Sequence, residues 1–170
     1  MPEAVTRLLK KAIFSLVALQ WLGGCAIFGG SDDEPVKNTS VQVTGPQQPF
    51  EEVRVSDADR VWQSRKTGNT IAYNSACQEK LKEDLGTLEK GILSGVDNVK
   101  IISQIKLTVD GAPAERTRAE GKTDGVPISI DLVTIKKANC TYDLAYVTRT
   151  VTFQTEQNVF QQFVERFHTP

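Results

Sequence analysis

Three cysteines, a single histidine and two arginines two positions apart are the side chains whose type and spacing could do chemistry in this chain. Cys25 stands directly behind Leu22-Gly23-Gly24, where a thiol can be lipidated once the bond before it is cut. Cys77 and Cys140 could close a disulfide, or one of them could serve as a nucleophile. The nucleophile reading needs a general base within hydrogen-bond reach. The one histidine, His168, lies two residues from the end of the chain, where backbones fray. No His/Cys/carboxylate cluster has metal-ligand spacing. No glycine-rich loop opens a helix as a phosphate cradle requires, and no nucleophile elbow is present. The expectation is a protein that is not an enzyme, with no metal and no cofactor.

The residues around Cys25 give an address. Arg7, Lys10 and Lys11 form a basic n-region, Ala12 to Leu22 a short apolar run, and Gly23 and Gly24 the small residues before a cleavage point. A cysteine at that point resembles the lipobox of bacterial lipoproteins, in which the thiol becomes a diacyl thioether at the start of the mature chain. A membrane-spanning helix needs about 20 apolar residues, and this run contains Ser15 and Gln20 and is followed by four glycines before residue 31. An uncleaved anchor is the alternative. Ala26, rather than aspartate, follows the cysteine, which resembles lipoproteins sent to the outer membrane, facing the periplasm or the surface. Two acyl chains anchor stably where one is marginal.

Charge narrows the partners. The full chain carries 20 basic and 21 acidic residues, and residues 1 to 24 hold three and one of them, leaving 17 against 20, a net of −3. No basic stripe with interleaved aromatics is present, so nucleic acid is not an expected partner. Residues 25 to 52 are rich in Gly, Ser, Asp, Pro, Gln and Thr and read as a flexible tether, because so few large apolar side chains cannot offset the entropy of ordering. Residues 53 to 170 are long enough for one domain with a single core.

The elements that must position these groups follow from periodicity. Arg60 to Arg65 and Asn69 to Asn74 read as strands around the turn Lys66-Thr67-Gly68. Ser75-Ala76-Cys77-Gln78 has the form of a capping box, after which Leu81, Leu85, Leu88 and Ile92 share a helical face that Gly95 ends. Val99 to Val109 alternates, with Val99, Ile101, Ile105, Leu107 and Val109 on one face, and Asp110-Gly111 turns the chain tightly. A weakly patterned strand, Ala114 to Glu120, leads to the turn Thr123-Asp124-Gly125. If it pairs tightly through Asp110-Gly111, Arg116 and Arg118 fall on the side of Ile105 and Leu107.

The hairpin of Ile128 to Ile135 and Tyr142 to Val147 places Leu132 opposite Leu144 if the apolar sets share a face, with Lys137-Ala138-Asn139 as a three-residue loop. Val133, Ile135 and Val147 predict a sheet covered on both sides. From Thr155, Phe160, Phe163, Val164 and Phe167 follow the spacing of a buried helical stripe. The fold class is therefore α+β, with a mostly antiparallel sheet in the order β-β-α-β-β-β-β-α and helices packed on it.

In an oxidising compartment, the even pair left after Cys25 favours a Cys77–Cys140 disulfide. On this reading, Cys77 sits near the start of the first helix, above the strand face that Cys140 shares with Tyr142 and Leu144. Closing the loop between them is worth roughly 4 kcal/mol on the chain-entropy estimate. Two buried free thiols are the alternative.

Several phrases carry a resemblance: Val61-Trp62, Arg116-Thr117-Arg118-Ala119-Glu120-Gly121, Asp124-Gly125-Val126-Pro127-Ile128, Lys136-Lys137-Ala138-Asn139-Cys140-Thr141-Tyr142, and Phe160-Gln161-Gln162-Phe163-Val164-Glu165-Arg166-Phe167. Together with the element order, over roughly residues 55 to 168, they resemble uncharacterised bacterial outer-membrane lipoproteins. More distantly, they are similar to the Mog1/PsbP-like α/β/α sandwich. Members of that group bind unrelated proteins, so the resemblance implies a non-catalytic accessory role without naming a partner.

Two functions follow. The first is a tethered protein-interaction module for an unknown envelope protein, with Arg116 and Arg118 as the candidate contact. An arginine on a mostly apolar face invites an acidic group, either in a partner or, as a structural salt bridge, within the domain. The second is a carrier of a lipid or other apolar ligand, its pocket lined by Tyr73, Tyr142, Tyr146 and the phenylalanine stripe.

Overall fold

The computed structural model describes residues 36–38, 41, 43–55, 58–78 and 84–168. Cys25, the expected signal peptide and Leu81 lie outside them. Seven strands form one sheet: β1 (Phe50–Val53), β2 (Arg60–Ser64), β3 (Thr70–Cys77), β4 (Asp97–Val109), β5 (Ala112–Thr123), β6 (Val126–Lys137) and β7 (Cys140–Arg149). Helix α1 (Leu85–Leu93) precedes β4, and α2 (Phe153–Glu165) closes the fold after a 3-10 turn at Thr150–Thr152. The sheet order is β1-β2-β3-β7-β6-β5-β4, and every neighbouring pair is antiparallel. The predicted order holds, with β1 added at its front.

Helices cover both faces. Under α2 lie Trp62, Ile71, Tyr73, Val133, Ile135, Tyr142, Leu144 and Tyr146 with the phenylalanines of the helix. Under α1, Leu93 and Val96 pack on Ala119, Ile128, Ile130 and Leu132. That second cover corrects the β6–β7 register. The loop has two residues, Ala138 and Asn139, with Ala138 at φ 53, so Lys137 pairs with Cys140 and Leu132 with Ala145 rather than Leu144. The expected pairing took the apolar sets to share one face. Instead Ile128, Ile130 and Leu132 face α1, while Val133 and Ile135 join Tyr142 and Leu144 beneath α2.

The first helix starts later than its capping pattern suggested. Ser75 and Cys77 remain in β3, and the cap is Asp84, which accepts a hydrogen bond from the Thr87 amide at 3.0 Å. The Cys77–Cys140 disulfide is present, but it joins two strands that end side by side in register, 4.0 Å apart at Cα, rather than a helix to a strand.

The expected tether is also shorter than composition implied. Val36 exchanges both backbone hydrogen bonds with Cys77, at 2.9 and 2.8 Å, beyond the point where β2 stops pairing with β3. The Asn38 side chain donates to the Tyr142 hydroxyl at 2.9 Å, and Val43 and Phe50 are core residues. Two apolar anchors, Val43 and Phe50, and the backbone pairing of Val36 hold the described residues of this stretch against the domain.

At its first turn α2 departs from helical geometry at Glu156 (φ −133, ψ 15). The buried carboxylate of Glu156 accepts from the Ser64 hydroxyl at 2.6 Å, the Asn69 amide at 2.9 Å and the Thr67 hydroxyl. These bonds fasten α2 to the β2–β3 turn, and they satisfy a charge that would otherwise be costly to bury.

Candidate functional site

The two arginines lie where the tight turn puts them. Asp110 and Gly111 both take positive φ, at 48° and 76°, closing a two-residue hairpin that sets Ile105 opposite Arg116 and Ser103 opposite Arg118. Their roles then diverge. Arg116 donates from Nε and Nη2 to both carboxylate oxygens of Asp131, each at 2.8 Å, and from Nη1 to Gln161 of α2. Asp131 is fully buried, so Arg116 is a structural group that supplies its counter-charge. Arg118 reaches the same carboxylate only at 4.0 Å, rests over the Phe153 ring at 4.8 Å, and keeps 35% of its side chain in solvent. Of the pair, Arg118 is the more exposed and the less committed to Asp131.

The alternation of β4 does not produce one buried face, and several of its large apolar residues are exposed. Ile101, Ile102 and Ile105 of β4 are 47%, 47% and 55% exposed, and Val99 is also open to solvent. β4 is the outermost strand, lying beyond α1 and α2, and its alternation is broken by register shifts between Asp97 and Lys100 and between Ile101 and Ser103. Ile101 opposite Ala119 therefore faces the α1 side, whereas Ile105 opposite Arg116 faces the α2 side. Gly121 permits the first irregularity. A Cβ on it would stand 2.5 Å from the Val96 side chain and 2.9 Å from the Asp97 carbonyl oxygen. Lys100 and Lys106 on the same strand, a common guard of free edges, were the sequence signal for this exposure.

A polar node lies behind β4, under α1. Glu89 is buried, and one of its oxygens accepts from Gln104 at 2.9 Å and from the Thr117 hydroxyl. Gln104 also donates to Glu115, so it ties β4, β5 and α1 together. Desolvation raises the Glu89 pKa, with the charge of Glu115 adding to the effect. On the same face of β7, desolvation pushes the Asp143 carboxyl up to about 7, against a hydrogen bond from Thr134 at 2.8 Å that lowers it, with the nearby Glu89 charge adding to the rise.

Native Asp143 therefore holds a proton that the unfolded chain releases at an ordinary aspartate pKa. Its contribution to stability is complete below pH of about 4 and is lost as pH rises through about 7. Thermal melts should show a less stable protein at pH of about 8 than at about 5, and Asp143→Asn should flatten that slope. An unchanged slope in the variant would place the titration elsewhere.

The other expected sites resolve simply. Cys77 and Cys140 are bonded to each other, so neither is a free nucleophile, and His168 stands 3.1 Å from Asp110. The aromatic residues offered as a pocket lining pack on one another. Ring centroids are 5.6 Å apart for Tyr146–Phe160 and for Tyr73–Phe167, 6.0 Å for Tyr142–Phe167 and 5.4 Å for Trp62–Phe163. No helix among the described residues is long and apolar enough to cross a membrane.

No family model and no curated protein sequence matches the chain. Solved structures share its architecture. LpqN of Mycobacterium tuberculosis, involved in cell envelope biogenesis, superposes with a TM-score of 0.58 at 13% identity, over 83% of this chain and 87% of its own. The cyanobacterial PsbP of Synechocystis sp. PCC 6803 gives 0.54 at 12% identity, over 88% and 99%. PA94 of Pseudomonas aeruginosa, of unknown function, gives 0.51 at 10% identity, over 75% and 85%. At such identities the likeness establishes the fold, and the fold is the Mog1/PsbP-like one.

Proposed function

We propose that this protein is a non-catalytic accessory module of the bacterial envelope, held at the outer membrane by lipidated Cys25, that acts by docking another envelope protein. The observation that carries the docking is the β4 edge. It exposes three isoleucines within five residues, on both faces of a free edge strand, on a domain whose other large apolar side chains are mostly buried, and an exposed apolar edge is a template for pairing with another chain. Supporting it, both thiols of the domain are bonded to each other, and one protein of the same fold takes part in cell envelope biogenesis. On this reading residues 26 to 35 join the anchor to Val36, whose backbone pairs with Cys77.

The anchor is tested by Cys25→Ser in the full chain, followed by fractionation of the cells. The variant should move from the outer-membrane fraction to the soluble periplasm, because two acyl chains are what makes anchoring stable. Retention of the variant in the membrane through an uncleaved apolar segment would overturn the lipoprotein reading.

A further inference from the structure

We infer that β4 is a pairing edge that accepts an extended segment of alternating apolar and acidic residues as an eighth strand of the sheet; this rests on the docking role proposed above. The hairpin closed by Asp110-Gly111 fixes which backbone groups are free. Val109 opposite Ala112 flanks a two-residue loop, and such a pair exchanges both of its hydrogen bonds. Alternation then gives Leu107, Ile105 and Ser103 to β5, while Gln104, Lys106 and Thr108 turn their N–H and C=O groups outward. The register is unbroken from Ser103 to Val109. That stretch is a ready template for one more strand.

The side chains along it select the occupant. On the α2 side Ile105 is exposed and Leu107 is half-buried, so a residue set against them buries area if it is apolar. On the α1 side the exposed Lys106 favours an acid opposite it, and on the α2 side the half-exposed Arg118 and, beyond the register shift, Lys100 add positive charge near the end of the segment. Asp97, the acidic residue of β4, lies beyond both register shifts, and Glu120 stands across from Lys100 on the inner neighbour β5. A second copy fits less well. Antiparallel self-pairing centred on Ser103–Val109 would set Lys106 directly against its own counterpart, a like-charge pair.

The test uses the full chain in detergent micelles and two blocked twelve-residue peptides, one alternating Val and Glu, the other Val and Lys. Fluorescence anisotropy reads binding, and amide hydrogen exchange reads where. The Val/Glu peptide should bind at least about tenfold more tightly, roughly 1.4 kcal/mol, and should slow exchange at Gln104, Lys106 and Thr108. Lys106→Pro should abolish binding while leaving the near-ultraviolet circular dichroism unchanged, because the amide it removes points away from β5. Lys100→Glu with Lys106→Glu should reverse the preference between peptides.

Equal binding of both peptides, no binding of either, or protection elsewhere on the chain would overturn the inference. So would protection of the same three amides that grows with protein concentration in the absence of peptide, which would assign the edge to a second copy. In cells, a photo-crosslinker at Ile105 should lose its adduct in the Lys106→Pro variant. An adduct formed from Val53 on β1 but not from Ile105 would overturn the edge while sparing the docking role. Membrane retention of Cys25→Ser would overturn the anchor while sparing the edge.

Discussion

Replacing Arg116 with methionine is expected to destabilise the domain by about 3–5 kcal/mol, because it strands the buried Asp131 carboxylate. The remaining cation, Arg118, stands 4.0 Å away and cannot restore two hydrogen bonds of 2.8 Å. Chemical denaturation would show the loss as a lower midpoint at unchanged slope. The companion variants make the result diagnostic. Arg118→Ala should cost less than about 1 kcal/mol, as an exposed ion pair does. Arg116→Met combined with Asp131→Leu should recover most of the loss, since the cost is that of an uncompensated buried charge. A near-neutral Arg116→Met would mean that the Asp131 carboxylate is solvated, and Arg116 would return to the list of residues free to meet a partner.

Phe163→Ala should cost about 3–5 kcal/mol, the range for emptying a large aromatic site in a packed core. Phe163 is buried, with its ring edge-on to Trp62 of β2 at a centroid distance of 5.4 Å. The neighbouring Gln162 is exposed, and Gln162→Ala should change stability by less than about 0.5 kcal/mol. The contrast is read in the same denaturation experiment. If Phe163→Ala were tolerated, the phenylalanine stripe would be a surface and α2 would become a binding face.

How far the sequence reveals this molecule depends on whether a feature is local. Asp110-Gly111 and Asp124-Gly125 occupy tight turns with positive φ, so these dipeptides set the β4–β5 and β5–β6 hairpins and the side on which the arginines lie. The Phe160, Phe163, Phe167 stripe marks a buried helical face for a similar reason, since one period of one helix decides it. What was hidden depends on coverage by distant elements. The Leu132–Ala145 register is not legible locally, because nothing near Leu132 says that α1 covers a second face. The Ile101–Ile105 alternation has the form of a buried face, and only the position of β4 at the end of the sheet leaves it exposed. The Glu89–Gln104–Glu115 node joins residues from three elements, and no spacing announces it.

The backbone pairing of Val36 with Cys77 has a mechanical consequence. A pull on the chain ahead of Val36 enters the fold at the end of β3, through two hydrogen bonds and the neighbouring Asn38 contacts. From there the load does not have to be carried by the strand ladder alone. Cys77 is covalently tied to Cys140 at the start of β7, so the force passes directly into the middle strand of the sheet, while β4 at the far side stays slack.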